Sequence, residues 1–314
     1  MSDLANPIFT NEAKARQWLE VHVWPDGPVC PHCGVQNFTK LEGEAHRPGL
    51  YQCNDCRQQF TVTVGTVMER SKIALTKWLM AVYLLSSSKK GMSTNQIGKM
   101  LKLPYKTAWF MTHRIREAMR EGKMPGPLGG EGIVVEADET YIGGKVKNKH
   151  NHIRGHHGSG TVNKEAAISL VERGGKVRSF HLESVTSKNV RGILRSQLND
   201  RTYLVTDESA MYRGMDQRFA GHSTVNHSAH EYVRHGVVHT NTVENYFSIL
   251  KRGITGVYHH VSQQHLKRYL AEFDFRYNER EALGVDNLAR TVKAIKGISG
   301  KRLTYRRTDQ AVQR

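Results

Sequence analysis

The stretch "GIVVEADETYIGGK", residues 132–145, joins an apolar run to three carboxylates and then breaks at a glycine pair. It reads as a buried strand that ends in acid. Desolvating a carboxylate is costly unless a cation or hydrogen bonds compensate. Some of Glu136, Asp138 and Glu139 should therefore face solvent, and at least one is expected to meet a metal. Alternation along a strand puts Glu136 on the same face as Asp138 and turns Glu139 to the other.

Downstream, "GGKVKNKHNHIRGHHGSGT" is a basic, histidine-rich loop, and "EAAISLVERGGKVRSFHLESV" is a hairpin turning at Gly174-Gly175. "SKNVRGILRSQLN" is an amphipathic helix capped by Ser187, and "RTYLVTDES" is another strand ending in acid, with Glu208 facing away from Asp207. Three strands, a helix and a fourth strand is the ribonuclease-H-like order of a mixed-sheet α/β core. In that arrangement the first and fourth strands are neighbours, so Asp138 and Asp207 converge. "HTNTVENYFSILKRG" then places Glu244 in the first turns of a helix, with Lys251 two turns on along the same face. In the basic loop, His150, His152, His156 and His157 could hold a metal. Set among Lys145, Lys147, Lys149 and Arg154, they read better as part of a phosphate-binding loop.

Upstream of the opening stretch, "GKMPGPLGGEG" is a proline–glycine linker. Before it, "LTKWLMAVYLLSSS" is apolar on nearly every face, as a buried helix is. Ser93 or Thr94 can cap a short helix running to Leu101, Leu103-Pro104 makes a turn, and Lys106–Arg120 forms a longer helix. With Ile97, Leu101 and Trp109 turned inward this is a helix-turn-helix pattern. From Ser71 to Pro127 there are 11 Lys and Arg against 2 Glu. Lys102, Lys106, Thr107, His113, Arg114 and Arg116 are candidate contacts to DNA, the alternative being a helical bundle with a solvated basic face.

The four cysteines form two Cys-x-x-Cys pairs, Cys30/Cys33 and Cys53/Cys56. Two such knuckles match a four-thiolate tetrahedral zinc site, whereas a thioredoxin-like redox pair explains only one of them. Four ligands leave no open position, so the zinc is expected to be structural. His32 could replace a thiolate but is not needed. "GLYQCNDCRQQFTVTVGT" alternates around the second knuckle as a short hairpin does.

The 314 residues carry 46 Lys and Arg against 29 Asp and Glu, a net charge of +17. Such a balance directs attention to polyanions. No signal-peptide pattern opens the sequence and no apolar run approaches the ~20 residues of a membrane span, so a cytoplasmic protein with reduced thiols is expected. The expected plan is a multidomain α+β chain. It has an N-terminal helix and zinc ribbon (1–70), a helix-turn-helix-like segment (71–121), a Gly/Pro linker (122–131), a ribonuclease-H-like core (132–298) and a basic tail (299–314).

"VEADETYIGGK", "VTDES", "HTNTVENYFSILKRGITGVYHHVS" and "LAEFDFRYNER" together resemble the DDE-type transposases of bacterial insertion sequences, specifically those with a zinc ribbon ahead of an integrase-like core. The resemblance implies a triad of Asp138, Asp207 and Glu244, with Lys251 as the basic residue that follows the glutamate. Some members of that family carry Asn in the third position, and here Asn241 and Asn245 lie close to Glu244. It further implies cleavage and strand transfer of DNA ends, and DNA as partner in the form of terminal inverted repeats and target. Two Mg²⁺ or Mn²⁺ ions about 3.5–4 Å apart suit such phosphoryl transfer. Asp138 would bridge both ions, Asp207 would bind one and Glu244 the other. Water attacks in the first cut and the freed 3′-hydroxyl in the second. Joining two ends requires a homo-oligomer, at least a dimer. A zinc-ribbon regulator of transcription would leave the ordered acids without a role, and a nuclease of the same fold would cut without joining.

Overall fold

The computed structural model describes residues 3–122, 126–143, 164–226 and 238–304. The chain divides into two compact units, one comprising the chain up to Gly122 and from Arg280 onward, the other Lys123–Glu279. Among the described residues no helix is long and apolar enough to cross a membrane.

In the first unit, helix α1 (Glu12–Val23) precedes a small antiparallel sheet of β1 (Phe38–Leu41), β2 (Leu50–Cys53) and β3 (Gln59–Phe60), in that spatial order. The expected hairpin around the second knuckle is the β2–β3 pair, with Tyr51 opposite Phe60. Those two rings stack at 5.7 Å, and Trp24 meets both edge-on. So small a sheet has little else to bury. Helix α2 (Leu75–Ser87) is buried on almost all sides, as its sequence requires. It has no capping side chain of its own. Glu12 of α1 serves instead, accepting from Leu75 N at 2.8 Å and Thr76 N at 3.2 Å.

Helices α3 (Thr94–Leu101) and α4 (Tyr105–Met119) form the expected helix–turn–helix. Ser93 is the cap of α3, accepting from Gln96 N. Lys102 takes a left-handed conformation (φ 51°) to reverse the chain. Gly98 makes the corner possible: a Cβ there would lie 3.2 Å from Leu103 O and 3.3 Å from Ala108 Cβ. Helix α8 (Asn287–Lys296), capped by Asp286, packs on α2, where Arg290 donates to Ser86 O at 3.0 Å. The expected core boundary at residue 298 therefore differs from the boundary of the compact unit, which closes at Glu279.

The second unit is a five-stranded mixed sheet between helices. Its strands are β4 (Val134–Ile142), β5 (Glu165–Glu172), β6 (Val177–Leu182), β7 (Tyr203–Asp207) and β8 (Gly221–Val225), in spatial order β6-β5-β4-β7-β8. β4, β5 and β6 form an antiparallel meander, while β7 and β8 run parallel to β4. This is the expected ribonuclease-H-like order, with β8 as a fifth strand beyond the four that the sequence pattern indicates. One face buries Val135, Ala137, Ile168, Leu170 and Leu204 against α5 (Ser187–Gln197) and the segment around Tyr212. The cap of α5 is Thr186, one residue before the expected Ser187, and it accepts from Asn189 N. The other face buries Ile142, Ala167, Val171 and Val177 against α6 (Asn241–Gly253) and α7 (Gln263–Asn278).

The exposed edge of β6 would invite pairing with another strand. Helix α7 covers it with side chains. Asn278 accepts from Val177 N at 2.7 Å and donates to Val177 O at 2.9 Å. One turn earlier, Asp274 accepts from Ser179 N at 2.8 Å and from the hydroxyls of Ser179 and Tyr246.

Candidate functional site

The four cysteine sulfurs lie within 4.8 Å of one another, with Cys30–Cys56 at 3.6 Å and Cys33–Cys53 at 3.5 Å. Four ligands at the ~2.3 Å Zn–S distance on a tetrahedron would be separated by about 3.8 Å, so the cluster has the dimensions of a zinc site. Without a cation the sulfurs compete for ionisation. The Cys56 N–H, more than any other group, holds Cys53 down to about 7. Cys33, although the Val35 N–H pulls it down, is pushed up to about 12, its neighbouring sulfurs among the causes. His32 is not part of the cluster.

In the second unit, β4 and β7 pair in parallel with Val134 beside Tyr203, Val135 beside Leu204 and Glu136 beside Val205. Continuing that register by two residues brings Asp138, the middle residue of β4, beside Asp207, the last residue of β7. Strand β4 does not end in acid as expected, because β5 pairs with it as far as Ile142. Both aspartates are half-buried. Asp138 Oδ1 accepts from Glu139 N at 2.7 Å, and Asp207 Oδ1 from Ser209 N at 3.0 Å. Alternation turns both toward the face that α6 and α7 cover. Glu244 lies on α6, exposed, with Thr240 Oγ1 donating to its Oε1 at 2.8 Å. Lys251 is exposed on the same helix, its Nζ 6.0 Å from the centre of the Phe247 ring. Among the described residues, only the cysteines form a group of three or more ligand atoms as tight as 4.8 Å.

The neighbouring acids have other partners. Glu136 is completely buried and accepts from Thr242 N at 2.7 Å, Thr242 Oγ1 at 2.8 Å, Val243 N at 3.0 Å and Arg173 Nε at 2.7 Å. With about four lone-pair directions on a carboxylate, its acceptor capacity is spent on protein donors. It is therefore a poor rival to Asp138 as a metal ligand. Glu139 turns to the opposite face as expected, but is not solvated there: Tyr212 OH donates to it at 2.5 Å. Burial, with added repulsion from Asp138 and Asp207, pushes Glu139 up to about 7. That repulsion is a sign of crowded negative charge, and a hard divalent cation at Asp138 and Asp207 would relieve it. Glu208 is exposed.

The candidate DNA contacts separate into two groups. Lys102 and Lys106 are exposed and Thr107 is partly so, all at or beside the turn before α4. His113 and Arg116 are completely buried, which removes them as phosphate contacts. His113 packs on Trp109, ring centres 4.2 Å apart. Arg114 is half-buried and committed inward. Its guanidinium sits 4.4 Å from the Phe110 ring centre and donates to the carbonyls of Glu69 and Leu303. Lys145, Lys147, Lys149, Arg154 and the four loop histidines lie outside the described residues.

Residues 10–59 match the family model of the transposase zinc-ribbon domain, and residues 127–278 that of the ISXO2-like transposase domain. An uncharacterized protein in the transposable element ISH50 of Halobacterium salinarum is 29% identical over 279 residues, which span 85% of this chain and 91% of that protein. Among solved structures, a simian T-cell lymphotropic virus intasome in complex with PP2A regulatory subunit B56 gamma matches at 16% identity. That match covers 57% of this chain and 63% of the other, and its TM-score of 0.28 is too low to bear on the fold. With both domains matched in this order, the chain belongs to the insertion-sequence transposases that carry a zinc ribbon ahead of a DDE domain.

Proposed function

We propose that this transposase cleaves the ends of its element and joins them to target DNA, with Asp138, Asp207 and Glu244 as the acids of the reaction. The observation that carries the reading is the parallel β4–β7 register, which sets Asp138 beside Asp207 on the sheet face that receives the Glu244 helix. Divalent cations, Mg²⁺ or Mn²⁺, held by these three acids would neutralise phosphate charge and activate the attacking oxygen. In the first step the oxygen of water bonds to phosphorus as the P–O3′ bond breaks, leaving a 3′-hydroxyl. In the second, the oxygen of that hydroxyl bonds to a target phosphorus as the target's own P–O3′ bond breaks, leaving the target strand with a free 3′-hydroxyl. Asp138, within β4, and Asp207, at the end of β7, hold the reacting phosphate's surroundings fixed on paired strands. Thr240 orients Glu244, and Lys251 places positive charge beside the terminal DNA.

The cysteine cluster holds a structural zinc. Lys102, Lys106 and Thr107 position α4 on DNA, and at least two copies of the chain act together because two ends are joined. Asp138→Asn tests the reading. It should abolish both cleavage and joining while DNA binding persists, with Mg²⁺ or Mn²⁺ supporting the wild-type reaction and Ca²⁺ supporting little chemistry. Robust strand transfer by Asp138→Asn would exclude the mechanism. Cleaved ends that are never joined would assign a nuclease instead.

A further inference from the structure

We infer that Glu136 is a positioning residue that fixes the Glu244 helix onto the strand of Asp138, acting as the N-terminal cap of α6 from another element. The inference rests on the reading of Asp138, Asp207 and Glu244 as metal ligands. A helix begins with N–H groups that lack partners within the helix, and a side chain just before the first turn ordinarily takes them. The residue in that place here, Thr240, does not do so. Its hydroxyl goes to Glu244 Oε1 instead. The orphaned N–H groups of Thr242 and Val243 both donate to Glu136 Oε2, and the Thr242 hydroxyl donates to Oε1. Those two peptide groups immediately precede Glu244, and Glu136 lies two residues before Asp138 on the same face of β4.

Arg173, from the β5–β6 turn, closes the arrangement. Its Nε donates to Glu136 Oε1 at 2.7 Å, its Nη2 to His239 O at 2.8 Å, and its backbone N to Val134 O at 3.0 Å. His239 Nδ1 also lies 3.2 Å from Glu136 Oε1. The segment leading into α6 and the helix's first turn are thus tied to one buried carboxylate, 106 residues away in sequence from Thr242. A strand advances about 3.3 Å per residue, so a slip of the cap by one position would carry Glu244 away from Asp138 by a distance no metal site tolerates. The same device occurs at Glu12, which caps α2 and belongs to the other unit. That makes Glu12 the natural control.

The test is a Mn²⁺ titration of the full-length protein, with bound and free ion distinguished by electron paramagnetic resonance and unfolding followed in parallel. Glu136→Gln keeps the shape but replaces one acceptor oxygen with a donor. It should weaken Mn²⁺ binding at least tenfold, as Asp138→Asn does more severely. Glu12→Gln should lower the melting temperature comparably and leave Mn²⁺ affinity unchanged. Arg173→Lys, which keeps one bond to Glu136 but not the second to His239 O, should weaken Mn²⁺ binding by a smaller factor. It carries the test if Glu136→Gln does not fold. Wild-type Mn²⁺ affinity in folded Glu136→Gln, or in Arg173→Lys where the first does not fold, would overturn the positioning role. Wild-type affinity in Asp138→Asn would instead overturn the assignment of the three acids.

Discussion

Asn278→Ala should loosen the second unit at the edge its α7 helix protects. Asn278 is nearly buried and forms two bonds to a single residue of β6, accepting from Val177 N and donating to Val177 O. Truncation leaves both backbone groups of a completely buried residue without these partners. At about 1–3 kcal/mol for each such group, the loss from the two comes to about 2–6 kcal/mol. At about 2–4 °C per kcal/mol for a domain of this size, its melting temperature should fall by roughly 4–24 °C. Asn278→Asp keeps the acceptor for Val177 N–H but loses the donor, so it should be less stable than wild type as well. Thermal unfolding by circular dichroism gives the magnitude, and hydrogen exchange at the Val177 amide gives the location. A melting temperature within 1 °C of wild type, with Val177 exchange unchanged, would refute the reasoning. The edge of β6 would then be protected by the apolar packing of α6 and α7 alone.

Elemental analysis should find one zinc per chain, and Cys30→Ser or Cys53→Ser should unfold the ribbon, because metal binding and folding are linked at such sites. Lys102→Ala and Lys106→Ala should each flatten the salt dependence of DNA binding by about 0.9 in logarithmic slope. Substitution of the buried Arg116 should lower stability instead. Glu139, raised from 4.5 to about 7 chiefly by burial, is bound to a proton in the fold at pH values where the unfolded chain has lost it. Its contribution is fully present below the unfolded value and lost as pH rises through 7, a swing of about 3 kcal/mol at 1.36 kcal/mol per unit. Zinc-loaded protein freed of other divalent cations should therefore melt lower at pH 8 than at pH 5, and Glu139→Gln should flatten that dependence.

What the sequence reveals and what it conceals divide along the range of the interaction. The meander, α5, β7 and the two helices of the turn motif are legible because alternation, periodicity and turn residues act within a few positions. Strand β8 is short, mixes polar and apolar residues, and gives no such pattern. The fate of α4's basic residues is a long-range matter too. Leu303 O accepts from Arg114, and Lys301 donates to Ala118 O, so chain from the far C-terminus returns onto a helix that looks solvated when read alone. Helical spacing can identify a basic face, but it cannot say that another segment will cover it.

The acids show the same division at closer quarters. In sequence Glu136, Asp138 and Glu139 are three similar carboxylates within four residues, and alternation distinguishes only their faces. The fold sorts them by the donors each one meets. Glu136 meets the open N-terminus of α6 and an arginine, which stabilise its charge where water cannot reach. Glu139 meets a tyrosine in an apolar layer, where the charged form is disfavoured. Asp138 is left half-buried midway along β4, beside the last residue of β7, an aspartate that is half-buried too. A strand can therefore carry a run of acid when only part of that run must answer to a cation, the rest being held by donors from α6, the β5–β6 turn and the segment around Tyr212.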